Sequence, residues 1–94
     1  MDKQSIITFL QSNKDFFKTK YSVEKIGLFG SYSKNEENEN SDIDIIVSMP
    51  SSFDNFYDLK EYLENNLHCT VDLGLESSMR VLIKQKIENE IIYV

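Results

Sequence analysis

Apolar residues near the start of the chain return at helical spacing. Ile6, Ile7, Phe9, Leu10 and Phe17, with Asn13 among them, fall near one face behind Asp2 or Ser5 as a cap. This spacing predicts one helix that ends around Lys18 to Tyr21. The period then changes. Val23 to Phe29 is a short apolar run, interrupted by Glu24-Lys25 and closed by Gly30, the pattern of a strand entering a turn. Ser31 to Lys34 suit a single helical turn, and the Asn- and Glu-rich stretch from Lys34 to Asn40 lacks apolar spacing, as an exposed loop would. Asp42 to Met49 alternates and then runs apolar, which predicts a second strand ended by Pro50-Ser51-Ser52.

In the second half, Phe56, Leu59, Lys60, Leu63 and Leu67 keep three- and four-residue spacings behind Ser52 or Asp54, predicting an amphipathic helix. His68 to Leu75 is β-rich, with Cys69, Val71, Leu73 and Leu75 on one face and Thr70, Asp72 and Gly74 on the other. A last helix is expected from Ser77 or Ser78 through Val81, Leu82, Lys84, Gln85, Ile87 and Glu88. Ile91 to Val94 is too short for a helix and fits an extended segment against the sheet or against a partner. The expected fold class is α/β (α+β), a small mixed β-sheet flanked by helices, in a single domain over residues 1–94.

Charge narrows the partners. With 10 Lys+Arg against 16 Asp+Glu the net charge is -6, and the basic clusters are no larger than Lys18-Thr19-Lys20 and Lys84-Gln85-Lys86. A long nucleic acid is not expected, because lysine and arginine normally supply most of that affinity. A nucleotide that brings its own metal ion remains compatible with an acidic domain. The single cysteine, Cys69, excludes an internal disulfide and a CxxC zinc site. Met1 to Leu10 lacks the pattern of a secretory signal, and no stretch approaches the ~18 apolar residues of a membrane span. A cytoplasmic protein, away from membranes, is the expectation.

Candidate chemistry gathers at two places. Gly30-Ser31 forms a tight turn after the first strand, and after ten intervening residues Asp42-Ile43-Asp44 opens the second. Side chains at i and i+2 of a strand share a face, with Cα atoms roughly 6.5 to 7 Å apart, so Asp42 and Asp44 aim at one point. Two carboxylates about 5 Å apart repel by roughly 3 kcal/mol at an effective dielectric near 20. A bound cation relieves that cost, and hard carboxylate oxygens suit Mg²⁺.

Gly30-Ser31, the ten-residue interval, Asp42-Ile43-Asp44 and the later Val71-Asp72-Leu73 resemble the nucleotidyltransferase superfamily related to DNA polymerase beta, in particular its minimal, MNT-type members. The resemblance covers nearly the whole chain. It implies the nucleotidyltransferase fold and the transfer of a nucleoside monophosphate, AMP from ATP, to an acceptor hydroxyl with release of pyrophosphate. It also implies two Mg²⁺ ions, with Mn²⁺ as the substitute, held by Asp42, Asp44 and Asp72, the last doubling as general base. Gly30, Ser31 and Lys34 are the expected nucleotide-binding residues, Ser31 offering its backbone amide at a turn where glycine permits close approach. Relatives commonly carry Arg directly after the Gly-Ser, where this chain has Tyr32, and Gly where it has Asn35, a residue that tolerates the left-handed backbone.

MNT-type relatives often pair with an all-helical HEPN-type partner as the antitoxin of a toxin-antitoxin module, which implies a tyrosine of that toxin as acceptor. The competing expectation is a catalytically weak or inactive protein of the same fold that neutralises its partner by contact. Modification of a small molecule is a third; relatives that do so use a further domain to hold the acceptor, whereas one small domain needs a second chain or an oligomer for that purpose.

Overall fold

The computed structural model describes residues 2–36, 38, 40–50, 52–78, 85 and 90–94. The chain starts with two helices where apolar spacing predicts one: α1 over Lys3–Ser12 and α2 over Lys14–Tyr21. Asp2 caps α1, its side chain accepting from the Ser5 amide at 2.9 Å. Asn13 causes the break between them. Its side-chain amide donates to the Phe9 carbonyl at 2.9 Å, competing with the helical ladder, while its Oδ1 accepts from the Tyr62 hydroxyl at 3.1 Å. The same asparagine therefore pins the helical pair to a third helix.

After α2, Ser22 in the left-handed region at φ 60° turns the chain into strand β1, Lys25–Phe29. Strand β2, Ile43–Ser48, runs antiparallel to it, with Lys25 opposite Ser48 and Phe29 opposite Asp44. Helix α3, Phe53–Leu67, starts on Ser52 rather than on Asp54, and His68 ends it in a left-handed conformation at φ 55°. His68 is thus a cap and the third strand, β3, covers only Val71–Leu75. Its first amide, that of Val71, donates to the Glu64 carboxylate of α3 at 3.0 Å. β3 lies parallel to β2, as the crossover through α3 requires. A short 3₁₀ turn follows at Glu76–Ser78, and the expected last helix, from Val81 through Glu88, falls outside the described residues except for Gln85.

The C-terminal segment resolves its two alternatives in favour of the sheet: β4, Ile92–Tyr93, pairs antiparallel with Gly27 and Leu28 of β1. Gly27 makes room for it. A Cβ there would sit 2.7 Å from Ile91 Cγ2 and 3.1 Å from Tyr93 Cδ1. The mixed sheet has the order β3-β2-β1-β4.

Alternation in the strands decides which face meets the helices. Ile26 and Leu28, Ile43, Ile45 and Val47, and Val71 and Leu73 all join one core with Ile6, Leu10, Phe17, Leu59, Leu63 and Leu67. Each such fully buried side chain contributes about 1.5–3 kcal/mol relative to exposure. The opposite face of the strands carries Asp44 and Asp72. Among the described residues no helix is long and apolar enough to cross a membrane.

Candidate functional site

Register brings two of the three aspartates together. Asp44 on the central strand is the direct neighbour of Asp72 on β3, and parallel strands lie about 4.8 Å apart. Both point away from the core because their flanking residues, Ile43, Ile45, Val71 and Leu73, are buried in it. Asp42 stands one residue ahead of β2 rather than within it, exposed and two residues from Asp44. Beside Asp44 on its other flank lies Phe29, the last residue of β1, and the chain then turns at Gly30.

Gly30 has two separate reasons to be glycine. Its φ of 76° is in the left-handed region. In addition, a Cβ on this residue would overlap Asp44 Oδ2 and stand 3.0 Å from Asp44 Cγ, so the absent side chain is the space the carboxylate fills. The turn is locked from below: the Ser33 hydroxyl donates to the Gly30 carbonyl at 2.7 Å, and the Ser33 amide reaches the same oxygen at 3.1 Å. Asn35 takes the left-handed conformation at φ 58°, as expected of a residue standing where relatives have glycine. The amide of Glu36 closes the turn on the Ser31 carbonyl at 2.8 Å. The segment is a series of tight turns rather than the expected helical turn, and Ser31 sits half-buried at its start.

Electrostatics single out Asp44. Burial, first, and then the neighbouring carboxylates of Asp72 and Asp42 push its carboxyl up to about 6. Among the described residues no three His, Cys, Asp or Glu side chains are already gathered into a ligand cluster, while the Asp44 and Asp72 carboxyls stand within hydrogen-bond reach of each other. An all-oxygen, carboxylate-only donor set with one member held above its ordinary range fits a hard divalent cation such as Mg²⁺ or Mn²⁺.

Two residues near the turn have roles the sequence does not show. Tyr32 is only 7% exposed and belongs to the core; its hydroxyl lies 4.0 Å from Cys69 Sγ. Cys69 in turn donates from sulfur to the Ser41 carbonyl at 3.6 Å, so the residue before Asp42 is tied to the segment before β3. Tyr32 is therefore a brace between the two halves of the site, not a substitute for a phosphate-binding arginine. Lys34 is paired: its ammonium lies 3.0 Å from Glu90 Oε1, across 56 positions of chain. Nothing local in the sequence signals that pair. Ser33 has a visible signal, a small hydroxyl three residues after the turn glycine, of the kind that closes a turn on its own backbone.

Comparison with known proteins gives the family and the fold. The family described as "Nucleotidyltransferase domain" matches residues 10–94. The protein adenylyltransferase MntA of Thermococcus cleftensis is 37% identical over 93 residues, covering 97% of this chain and 94% of its own length. Among solved structures, a toxin-antitoxin complex with AMP-PNP superposes with a TM-score of 0.70 at 28% identity, over 99% of this chain and 72% of that one. A complex of the tri-AMPylated HEPN toxin of Shewanella oneidensis with its MNT antitoxin gives a TM-score of 0.60 at 27% identity, over 97% of this chain and 66% of that one.

Proposed function

Because the chain belongs to the nucleotidyltransferase domain family and is an enzyme of that class, we propose that it transfers AMP from ATP to a hydroxyl of a HEPN-type toxin, acting as that toxin's antitoxin through one minimal domain over residues 1–94. The observation that carries this reading is the in-register pair Asp44 and Asp72, with the Asp44 carboxylate lodged in the space left by Gly30. The names of the relatives, a protein adenylyltransferase and an AMPylated HEPN toxin beside its antitoxin, support the choice of adenylyl group and partner. Tyrosine is the acceptor proposed, since its phenol is a nucleophile once its proton is taken.

Asp42, Asp44 and Asp72 would hold the divalent ions, Mg²⁺ or Mn²⁺, which supply charge neutralisation for the triphosphate and activation of the acceptor oxygen. The Gly30-Ser31 turn presents a backbone amide and a hydroxyl beside these carboxylates, suited to phosphate oxygens. Asp72, exposed at the front of β3, accepts the proton as the acceptor oxygen bonds to the α-phosphorus and the bond to the pyrophosphate oxygen breaks. Lys34 supplies the cation that Tyr32 does not. A deep acceptor pocket is not required of this chain when the acceptor arrives on a second protein.

Intact-mass measurement of a candidate HEPN partner, incubated with this protein, ATP and Mg²⁺, tests the reading. The expected result is a gain of one or more adenylyl groups with wild type and none with Asp44→Ala. No gain with either protein overturns it. Full neutralisation of the toxin by Asp42→Ala would instead favour neutralisation by contact.

A further inference from the structure

Lys34 is the sole Lys or Arg between Gly30 and Asp44, the segment that builds the turn and delivers the aspartates. It is the one side-chain cation that this segment itself can offer a phosphate bound at the turn. In the free protein this cation is already engaged: Glu90 Oε1 lies 3.0 Å from Lys34 Nζ, with the two side chains 42% and 35% exposed. Glu90 stands two residues ahead of β4, which is zipped to β1 by the Val94 amide on the Ile26 carbonyl at 3.1 Å and by the close approach over Gly27. The strand thus brings a carboxylate from 56 positions away onto the turn segment that follows Gly30.

Resting on the proposed nucleotidyl-transfer reading, we infer that Glu90 is a positioning residue that occupies Lys34 as a stand-in for phosphate and sets how tightly the triphosphate is held. A half-exposed ion pair contributes little and is screened by salt, so it yields readily to a polyanion. A triphosphate offers the ammonium several charged oxygens where Glu90 offers one carboxylate. Once displaced, the Glu90 carboxylate remains near the phosphates and repels them. Both effects act in the same direction: Glu90 weakens nucleotide binding and, after transfer, takes Lys34 back as pyrophosphate leaves.

The test is a double-mutant cycle on binding of a nonhydrolysable ATP analogue with Mg²⁺ at low and high salt. Glu90→Gln is expected to bind about 3- to 10-fold tighter than wild type and Lys34→Gln about 3- to 10-fold weaker. In the Lys34→Gln background the Glu90 effect should shrink to less than about twofold. In turnover, Glu90→Gln lowers KM for ATP and tightens pyrophosphate inhibition more than it changes kcat, a split that loss of mere stability would not give. Glu90→Asp, which keeps the charge, should stay near wild type, and melting curves verify that each variant is folded. If Lys34→Gln weakens binding while Glu90→Gln leaves it unchanged, the role of Glu90 is overturned and the site reading stands. If wild type fails to bind the analogue, the site reading itself fails.

Discussion

At the scale of single residues, Gly30 and Asp44 are one device. The glycine cannot be exchanged for alanine without both a left-handed backbone penalty and an overlap with the Asp44 carboxylate. Gly30→Ala should therefore cost about 1–3 kcal/mol in chemical denaturation and also lower transfer activity, since relief of the overlap displaces Asp44. Asp44 itself gives a pH dependence with a definite sign. Its carboxyl is raised from 3.8 to about 6 in the folded chain, so the folded state binds more protons than the unfolded one between these values. Metal-free stability should accordingly fall as pH rises from about 4 to 6 and level off above. Solvent screening at this half-exposed site keeps the effect to about 1 kcal/mol, and Asp44→Asn should remove it while abolishing transfer. Denaturation midpoints measured across that range for both proteins check the sign. Divalent metal binding should run the other way, strengthening as Asp44 ionises.

At the scale of elements, the joints decide more than the elements themselves. α1 and α2 share one apolar stripe, and the break between them comes from Asn13, whose two side-chain hydrogen bonds reach Phe9 and Tyr62. Periodicity could not show this, because an asparagine on the inner face has no partner until α3 is packed. Asn13→Ala removes both bonds and should cost about 1–2 kcal/mol; Tyr62→Phe removes one and should cost about half as much, both read from denaturant midpoints at constant m. β4 is a joint of another kind. It exists as a strand because Gly27 lets Ile91 and Tyr93 cross β1 closely. Gly27→Val should lower the amide-exchange protection at Val94 more than at α3, since it expels the terminal segment before it disturbs the helical core.

At the scale of the whole molecule, charge is the governing quantity. A net charge of -6, with Asp44 and Asp72 side by side on neighbouring strands and Asp42 one residue ahead of β2, should make the folded state responsive to divalent cations. Mg²⁺ or Mn²⁺ at a hundred times its dissociation constant should stabilise the fold by about 2.7 kcal/mol, seen as a rise in Tm that Asp42→Ala and Asp44→Ala each lose. Potassium chloride at matched ionic strength should not reproduce the shift.

The elements were largely legible because burial imposes period 2 or 3.6 locally. Strands around Ile26, Ile45 and Leu73 and the helix through Leu59 and Leu63 follow from residues a few positions apart. The same alternation put Asp44 and Asp72 on the polar face of their strands, and the turn glycine was visible from the punctuation it supplies. The sequence by itself thus determined the class of fold, the chemical types at the site and the family they resemble. Tertiary structure alone decided what lies beside what: the parallel register that sets Asp44 against Asp72, the carboxylate in place of a Gly30 side chain, Tyr32 as a brace, and Glu90 on Lys34. These are contacts between residues 14 to 56 positions apart, and no local period encodes the register or the crossover that closes such distances.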